Sequence, residues 1–123
     1  MGQPQNFAVD YDSENDSLFL YNPKSKSKGA IEFGDIILDF NNKKELVAIE
    51  ILNASRWLAD TLDEDESQAK ATLEQLKKTG RISSSRVGSW LKIRFILFWN
   101  EKEITDVLSV PAVHTTSPAL VHR

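Results

Sequence analysis

The chain has 123 residues, of which 41% are hydrophobic and 27% are charged, and it contains no cysteine. This length is typical of one domain with its own core, and the composition is that of a globular protein rather than a disordered one. The net charge of −3 gives no general attraction to nucleic acid or anionic lipid, and the absence of cysteine excludes disulfides, thiolate catalysis and thiolate metal sites.

Short apolar runs separated by turn-forming residues predict five strands in the first half of the chain. The expected strands are 7–11, 17–21, 30–33, 36–40 and 46–52. Aspartate and asparagine are concentrated between the first two strands, where their side chains favour a tight turn. Connections this short favour an antiparallel meander.

A helical region is expected next, because apolar residues recur with i, i+3 and i+4 spacing after Asn53 or Ser55, either of which can cap a helix. An acidic run then divides this region into two segments. Asp65, followed three positions later by Gln68, predicts a capping box at the start of the second segment. Gly80 is expected to end that segment, because glycine readily adopts the left-handed conformation of a helix C-terminus.

The last third of the chain is expected to contain a hairpin. A serine-rich loop is predicted at 82–88, a long strand at 90–99 and a return strand at 104–110, which Pro111 ends. The long strand is apolar on both faces towards its end. The sequence therefore predicts an α+β fold: an antiparallel β-meander followed by a two-part helical segment and a C-terminal β-hairpin.

The expected organisation is one α+β domain over residues 7–111, with a flexible N-terminus at 1–6 and a loose C-terminal tail at 112–123. The N-terminal residues contain no apolar run, so no signal peptide is expected. Residues 90–99 are too few, and include two basic residues, to form a membrane span. We therefore expect a cytoplasmic protein.

Three segments of the first half occur in a characteristic order: VDYDSENDSLFLY at 9–21, ILDF at 37–40 and VAIEILNAS at 47–55. Together they resemble the YuzE-like domain of unknown function 2283 family. Ala48 replaces a glycine usual in the family, and Asn53 stands where aspartate is common. The resemblance implies a small β-meander followed by a helix and implies no activity. It also points to protein binding, since such domains are thought to accompany small toxin-like partners.

Four carboxylates form a candidate acidic cluster: Asp12, Asp16, Asp39 and Glu50. Paired carboxylates can perform acid–base chemistry or hold a hard cation. The competing interpretation, which we favour, is structural. Glu50 shares a strand face with Leu46, Ala48 and Leu52, so it would be either a hydrogen-bonded buried acid or an acid at the rim of the core.

The alternate spacing of Asp12, Glu14 and Asp16 is that of a calcium-binding loop. Such a loop also needs glycine at its sixth position and glutamate at its twelfth, where this chain has Ser17 and Pro23. We therefore predict a turn here, and no bound metal or cofactor.

Four aromatic residues form a candidate interface: Trp90, Phe95, Phe98 and Trp99. Core packing is the competing interpretation, but aromatic residues on a two-sided apolar strand are also typical of protein interfaces. We expect a non-enzymatic interaction module that forms a homo-oligomer, with neither membrane nor nucleic acid as partner. The alternatives are an antitoxin-like or regulatory partner of another small protein, and a hydrolase or metal-dependent enzyme that uses the acidic cluster.

Overall fold

The computed structural model describes residues 4–111, which form eight antiparallel strands and two helices. The strands are β1 (Gln5–Asp12), β2 (Ser17–Tyr21), β3 (Gly29–Phe33), β4 (Ile36–Phe40), β5 (Leu46–Ile51), β6 (Thr79–Val87), β7 (Trp90–Trp99) and β8 (Lys102–Pro111). The helices are α1 (Ala54–Leu62) and α2 (Glu66–Glu74). In this part of the chain, neither helix has the length and apolar character needed to cross a bilayer. The predicted C-terminal tail lies outside the described residues.

All eight strands belong to one sheet in the order β3-β4-β5-β2-β1-β6-β7-β8. The α+β class is therefore correct, but the expected simple meander is wrong in its pairing. β2 pairs with β5 instead of β3, so β3, β4 and β5 form a separate meander on one side of the β1–β2 hairpin. β6, β7 and β8 form a second meander on the other side.

Two predictions are wrong because residues 79–87 form the strand β6. The residues predicted as a serine-rich loop form a strand that pairs with β7 from Arg81 opposite Ile96 to Val87 opposite Trp90. Gly80 belongs to this strand and does not end α2, which finishes at Glu74. The strand forms because β7 pairs with it from Arg81 to Val87 and β1 pairs with it from Thr79 to Ile82, and this pairing outweighs the weak strand preference of serine.

β1 begins at Gln5, two residues before the predicted strand, and its first residues pair with β6. The predicted divide between the helices is correct. Asp65 precedes α2, and its side chain accepts a hydrogen bond of 2.8 Å from the Gln68 backbone N–H. This contact satisfies one of the backbone donors that the first turn of a helix leaves unpaired.

Both helices pack on one face of the sheet, which we call the helix-side face. Its core joins buried residues of both strand groups to the helices, including Leu20, Ile49, Leu58, Leu73, Phe95 and Leu97. Trp57 of α1 packs on Phe95 with ring centroids 5.5 Å apart. Because side chains alternate along a strand, the residues between these core positions point to the opposite surface of the sheet.

We call that opposite surface the open face, because neither helix packs on it. Its alternate positions include Asp10 on β1, Phe19 and Tyr21 on β2, Glu32 on β3, Ile37 and Asp39 on β4, and Ala48 and Glu50 on β5. On the other side of the sheet they include Arg81 and Val87 on β6, Trp90, Lys92, Arg94, Ile96 and Phe98 on β7, and Glu103 and Val107 on β8.

Candidate functional site

The β1–β2 turn is tied to the start of α1 by Asp16. One carboxylate oxygen of Asp16 accepts hydrogen bonds from the Tyr11 hydroxyl at 2.6 Å and from the Ser55 backbone N–H at 3.0 Å. The other accepts a bond of 2.6 Å from the Ser55 hydroxyl. The Asp16 backbone carbonyl also accepts a bond of 2.9 Å from the Ala54 N–H. Asn53, at the cap position, makes no side-chain cap, so Asp16 satisfies the helix start from a distant turn.

These hydrogen bonds govern the ionisation of the two titratable groups. Partial burial opposes the charge on Asp16, but the bonds from Ser55 and Tyr11 outweigh it and lower the pKa of Asp16 below its usual value. Burial, together with the bond donated to Asp16, raises the pKa of Tyr11 above its usual value. The arrangement thus keeps Asp16 ionised and Tyr11 protonated as a hydrogen-bond donor.

Asp12 has a local role in the same turn. Its carboxylate accepts bonds from the Glu14 N–H at 3.1 Å, the Asn15 N–H at 3.2 Å and the Asn15 side-chain amide at 2.7 Å. The bonds from Asn15 lower the pKa of Asp12. This is the self-capped turn that the sequence predicts for an aspartate-rich connection.

The other two carboxylates of the candidate acidic cluster lie in the sheet. Asp39 is buried on the open face of β4, in register with Ala30 and Ala48. Glu50 is half-buried on the same face of β5, between Phe19 and Ile37. The four carboxylates are thus divided between a turn and a sheet surface, and residues 4–111 contain no group of three or more acids or histidines that could hold a metal ion.

A small cavity lies beside the same turn, with a volume of about 240 Å³, between β1 and α2. Its lining includes Tyr11, Ser13, Glu74 and Lys78. The Tyr11 hydroxyl is already donated to Asp16. None of the four carboxylates of the candidate acidic cluster lines this cavity.

Within residues 4–111, the open face carries the large hydrophobic side chains that are left exposed to solvent. Phe19, Val87, Trp90 and Val107 are exposed by 37%, 52%, 51% and 46%, and all four lie on this face. Val87 and Trp90 are direct cross-strand partners. Large exposed hydrophobic residues in one contiguous patch are typical of an interaction site, and Val87, Trp90 and Val107 lie on the adjacent strands β6, β7 and β8, whereas Phe19 lies apart on β2.

The candidate interface residues divide between the two faces of β7. Trp90 and Phe98 lie on the open face, and the Arg81 guanidinium sits 5.9 Å from the centroid of the Phe98 ring. Phe95 is 1% exposed in the core, and the Trp99 indole N–H donates a 3.2 Å bond to the Gln75 side chain behind the sheet. The surface available to a partner is therefore built from Trp90 and Phe98, with Phe95 and Trp99 on the helix side.

Charges on the open face are sorted by strand. Glu32, Asp39 and Glu50 lie on β3, β4 and β5, whereas Arg81, Lys92 and Arg94 lie on β6 and β7, which are flanked by the acids Asp10 on β1 and Glu103 on β8. Sequence reasoning missed this separation, because it depends on the order of strands in the sheet. The alternation of Lys92 and Arg94 with apolar residues along β7 was the local signal for its basic side.

Comparisons with known proteins place the chain in a family. A family model described as "Protein of unknown function (DUF2283)" matches residues 8–55. "Uncharacterized protein MJ0789" of Methanocaldococcus jannaschii is 33% identical over 107 residues, which cover 87% of each chain. A Methanosarcina mazei protein named "Putative hypoxanthine phosphoribosyltransferase" is 48% identical over 46 residues, or 37% of each chain. No solved structure matches the chain. These similarities confirm the resemblance seen in the sequence, and the chain belongs to the DUF2283 family of proteins of unknown function.

Proposed function

We propose that this protein is a non-enzymatic interaction module that associates with a second copy of itself through the open face of its sheet. The observation that carries the proposal is the location of the exposed large hydrophobics of the described chain: Phe19, Val87, Trp90 and Val107 all lie on the face that neither helix covers. Burial of such side chains against another chain removes apolar surface from water, which is the main driving force of protein association.

The size of the open face supports an interface of ordinary extent. Eight strands spaced by about 4.8 Å make the sheet roughly 35 Å wide. A stable interface buries on the order of 800 Å² per partner, which a sheet of this width provides. Trp90 and Phe98 add aromatic groups of the kind that concentrate binding energy at the centre of interfaces.

The mass of the full chain in solution tests the proposal. Sedimentation equilibrium or light scattering at micromolar concentration should give twice the chain mass of 13.9 kDa. The substitutions Phe98→Asp and Val107→Asp should each release monomers, because an unpaired carboxylate is costly at an apolar interface. Ala71→Asp is the matched control, since Ala71 is exposed on α2. It should leave the dimer intact.

A monomer at all of these concentrations would overturn the proposal, and so would a dimer that survives both open-face substitutions. A monomer that captures a different small protein through Trp90 and Phe98 would instead favour the regulatory-partner alternative. The readout for that outcome is loss of capture in Phe98→Asp with retention in Ala71→Asp.

A further inference from the structure

The sheet of residues 4–111 has two outer strands, which differ in length. The strand order places β3 at one end of the sheet and β8 at the other. β3 has five residues, whereas β8 has ten, all of which pair with β7 without a register shift. A long, regular outer strand presents a row of unpaired N–H and C=O groups, onto which another chain can add a strand. β8 is therefore the edge at which this fold needs protection.

The backbone groups that β8 directs away from β7 belong to alternate residues. The Phe98 carbonyl accepts a bond of 2.9 Å from the Lys77 N–H, so the backbone groups of Phe98 point away from β8. Phe98 lies opposite Glu103, which is therefore not hydrogen-bonded to β7, and this alternates along the ladder. The outer edge accordingly carries the N–H groups of Glu103, Thr105, Val107 and Ser109.

The Asp106 carboxylate occupies one of the two central N–H groups of this edge. Its Oδ1 accepts a bond of 2.8 Å from the Val107 N–H, and its Oδ2 accepts the bond of 3.2 Å from the Trp57 indole N–H of α1. Within residues 4–111, the outward N–H groups of Thr105 and Ser109 have no such acceptor. The carboxylate that docks α1 thus also covers the edge of the sheet.

We propose that the Asp106 carboxylate prevents β8 from accepting a further strand. An added strand would have to place a carbonyl oxygen where the carboxylate already lies, which loses a backbone hydrogen bond and opposes two negative oxygens. The block lies near the middle of the strand. Beyond it, Pro111 has no N–H to offer. This inference concerns the edge of the sheet and does not depend on association through the open face.

The strand that this carboxylate excludes is a second copy of β8. Thr105 and Val107 are exposed and β-branched, and such residues favour strand pairing. Antiparallel pairing of two β8 strands centred on Val107 would place Thr105 opposite Ser109 and would oppose no like charges directly. Without the Asp106 carboxylate, the edge is therefore suited to pair with itself.

Amide hydrogen exchange of the unmodified protein gives the first test. After correction for intrinsic rates, the Val107 N–H should exchange at least about tenfold more slowly than those of Thr105 and Ser109, because a charged acceptor holds it. Asp106→Ala should remove this difference. Equal exchange at the three positions in the unmodified protein would overturn the proposal.

Association at the edge gives the second test. At micromolar concentration, Asp106→Ala should raise the weight-average mass in sedimentation at least about twofold above that of the unmodified protein, since pairing of β8 joins a further copy. Adding Thr105→Pro to Asp106→Ala should restore the original mass, because proline removes an outward N–H that the β7 ladder does not use. The comparison holds whether the unmodified protein is a monomer or a dimer.

Two controls separate edge pairing from lost stability and from lost charge. Trp57→Phe removes the same bond to α1 but leaves the carboxylate on the Val107 N–H, and Asp60→Ala removes one negative charge at an exposed position of α1. Neither should raise the mass. Thermal unfolding establishes that each variant is folded. A folded Asp106→Ala protein of unchanged mass would overturn the proposal, and so would equal association of Trp57→Phe.

Discussion

The Ser55 hydroxyl donates a hydrogen bond of 2.6 Å to the Asp16 carboxylate, which lies 39 positions earlier in the chain. Asp16 occupies the left-handed region with a φ of 53°, in the turn between β1 and β2. The bond therefore fixes the position of α1 relative to a hairpin in the middle of the sheet. Family resemblance covers both ends of this contact, since the matched segment runs over residues 8–55.

Asp16→Asn should destabilise the fold by about 1–2 kcal/mol, because a charge-assisted acceptor at a helix start becomes a neutral one. Asparagine also tolerates the left-handed conformation at this position, so backbone strain does not contribute. Urea unfolding measures the difference. Asp12→Asn is the control in the same turn, and it should have a clearly smaller effect, since Asp12 bonds only within the turn.

Lowering the pH should decrease the free energy of unfolding, partly because Asp16 becomes protonated. The pKa of Asp16 is lower in the folded protein than its unfolded value of about 3.9. Its contribution is therefore complete at neutral pH and is lost as the pH falls below about 4. The difference in unfolding free energy between the unmodified protein and Asp16→Asn should shrink between about pH 6 and about pH 3. A difference that stays constant over this range would contradict the assignment.

Trp57→Phe should cost about 1–2 kcal/mol, because the Asp106 carboxylate on β8 would lose the bond of 3.2 Å from the Trp57 indole N–H. Phenylalanine keeps a ring against Phe95, so the loss reports mainly on the hydrogen bond. Trp99→Phe removes a bond of the same length to the neutral Gln75 side chain and should cost less. Guanidinium unfolding of both variants provides the comparison. Equal costs would contradict a role for the Asp106 charge in docking α1.

Gly80→Ala should destabilise the sheet by about 2 kcal/mol or more, as steric overlap in a core commonly does. An added Cβ would lie 2.8 Å from the Ile96 carbonyl oxygen and 3.1 Å from a Val9 methyl, and the backbone oxygen cannot move without breaking the β6–β7 ladder. Gly88→Ala is the matched control. Gly88 has open space around it and a φ of 62°, so alanine there should cost only about 1 kcal/mol of backbone strain. A smaller effect at Gly80 than at Gly88, measured by thermal unfolding, would contradict the close approach.

Three strands and the start of one helix could be predicted from short segments of sequence alone. Residues 17–21, 36–40 and 90–99 form strands with the predicted bounds, because alternation of apolar side chains is enough to define a strand and its buried side. Asp65 likewise begins α2 as predicted, since a helix cap depends only on neighbours three residues away.

Other elements of the fold depend on pairing between strands that are far apart in the sequence. Residues 82–87, most of the predicted serine-rich loop, form most of β6 because they pair with β7, whereas β1 pairs only with the start of the strand, up to Ile82. The position of Glu50 shows the same limit. Its strand could be predicted, but its half-buried setting beside Phe19 on the open face depends on β2 pairing with β5.

The sequence by itself determined the class of the fold, the family and the alternation that gives each strand an inner and an outer side. The tertiary structure alone decided which strands are neighbours, and hence that Glu32 and Glu50 share one half of the open face while Lys92 and Arg94 share the other. The physical reason is that alternation is a property of one strand, whereas the charge of a sheet surface depends on a strand order set by the packing of the whole core.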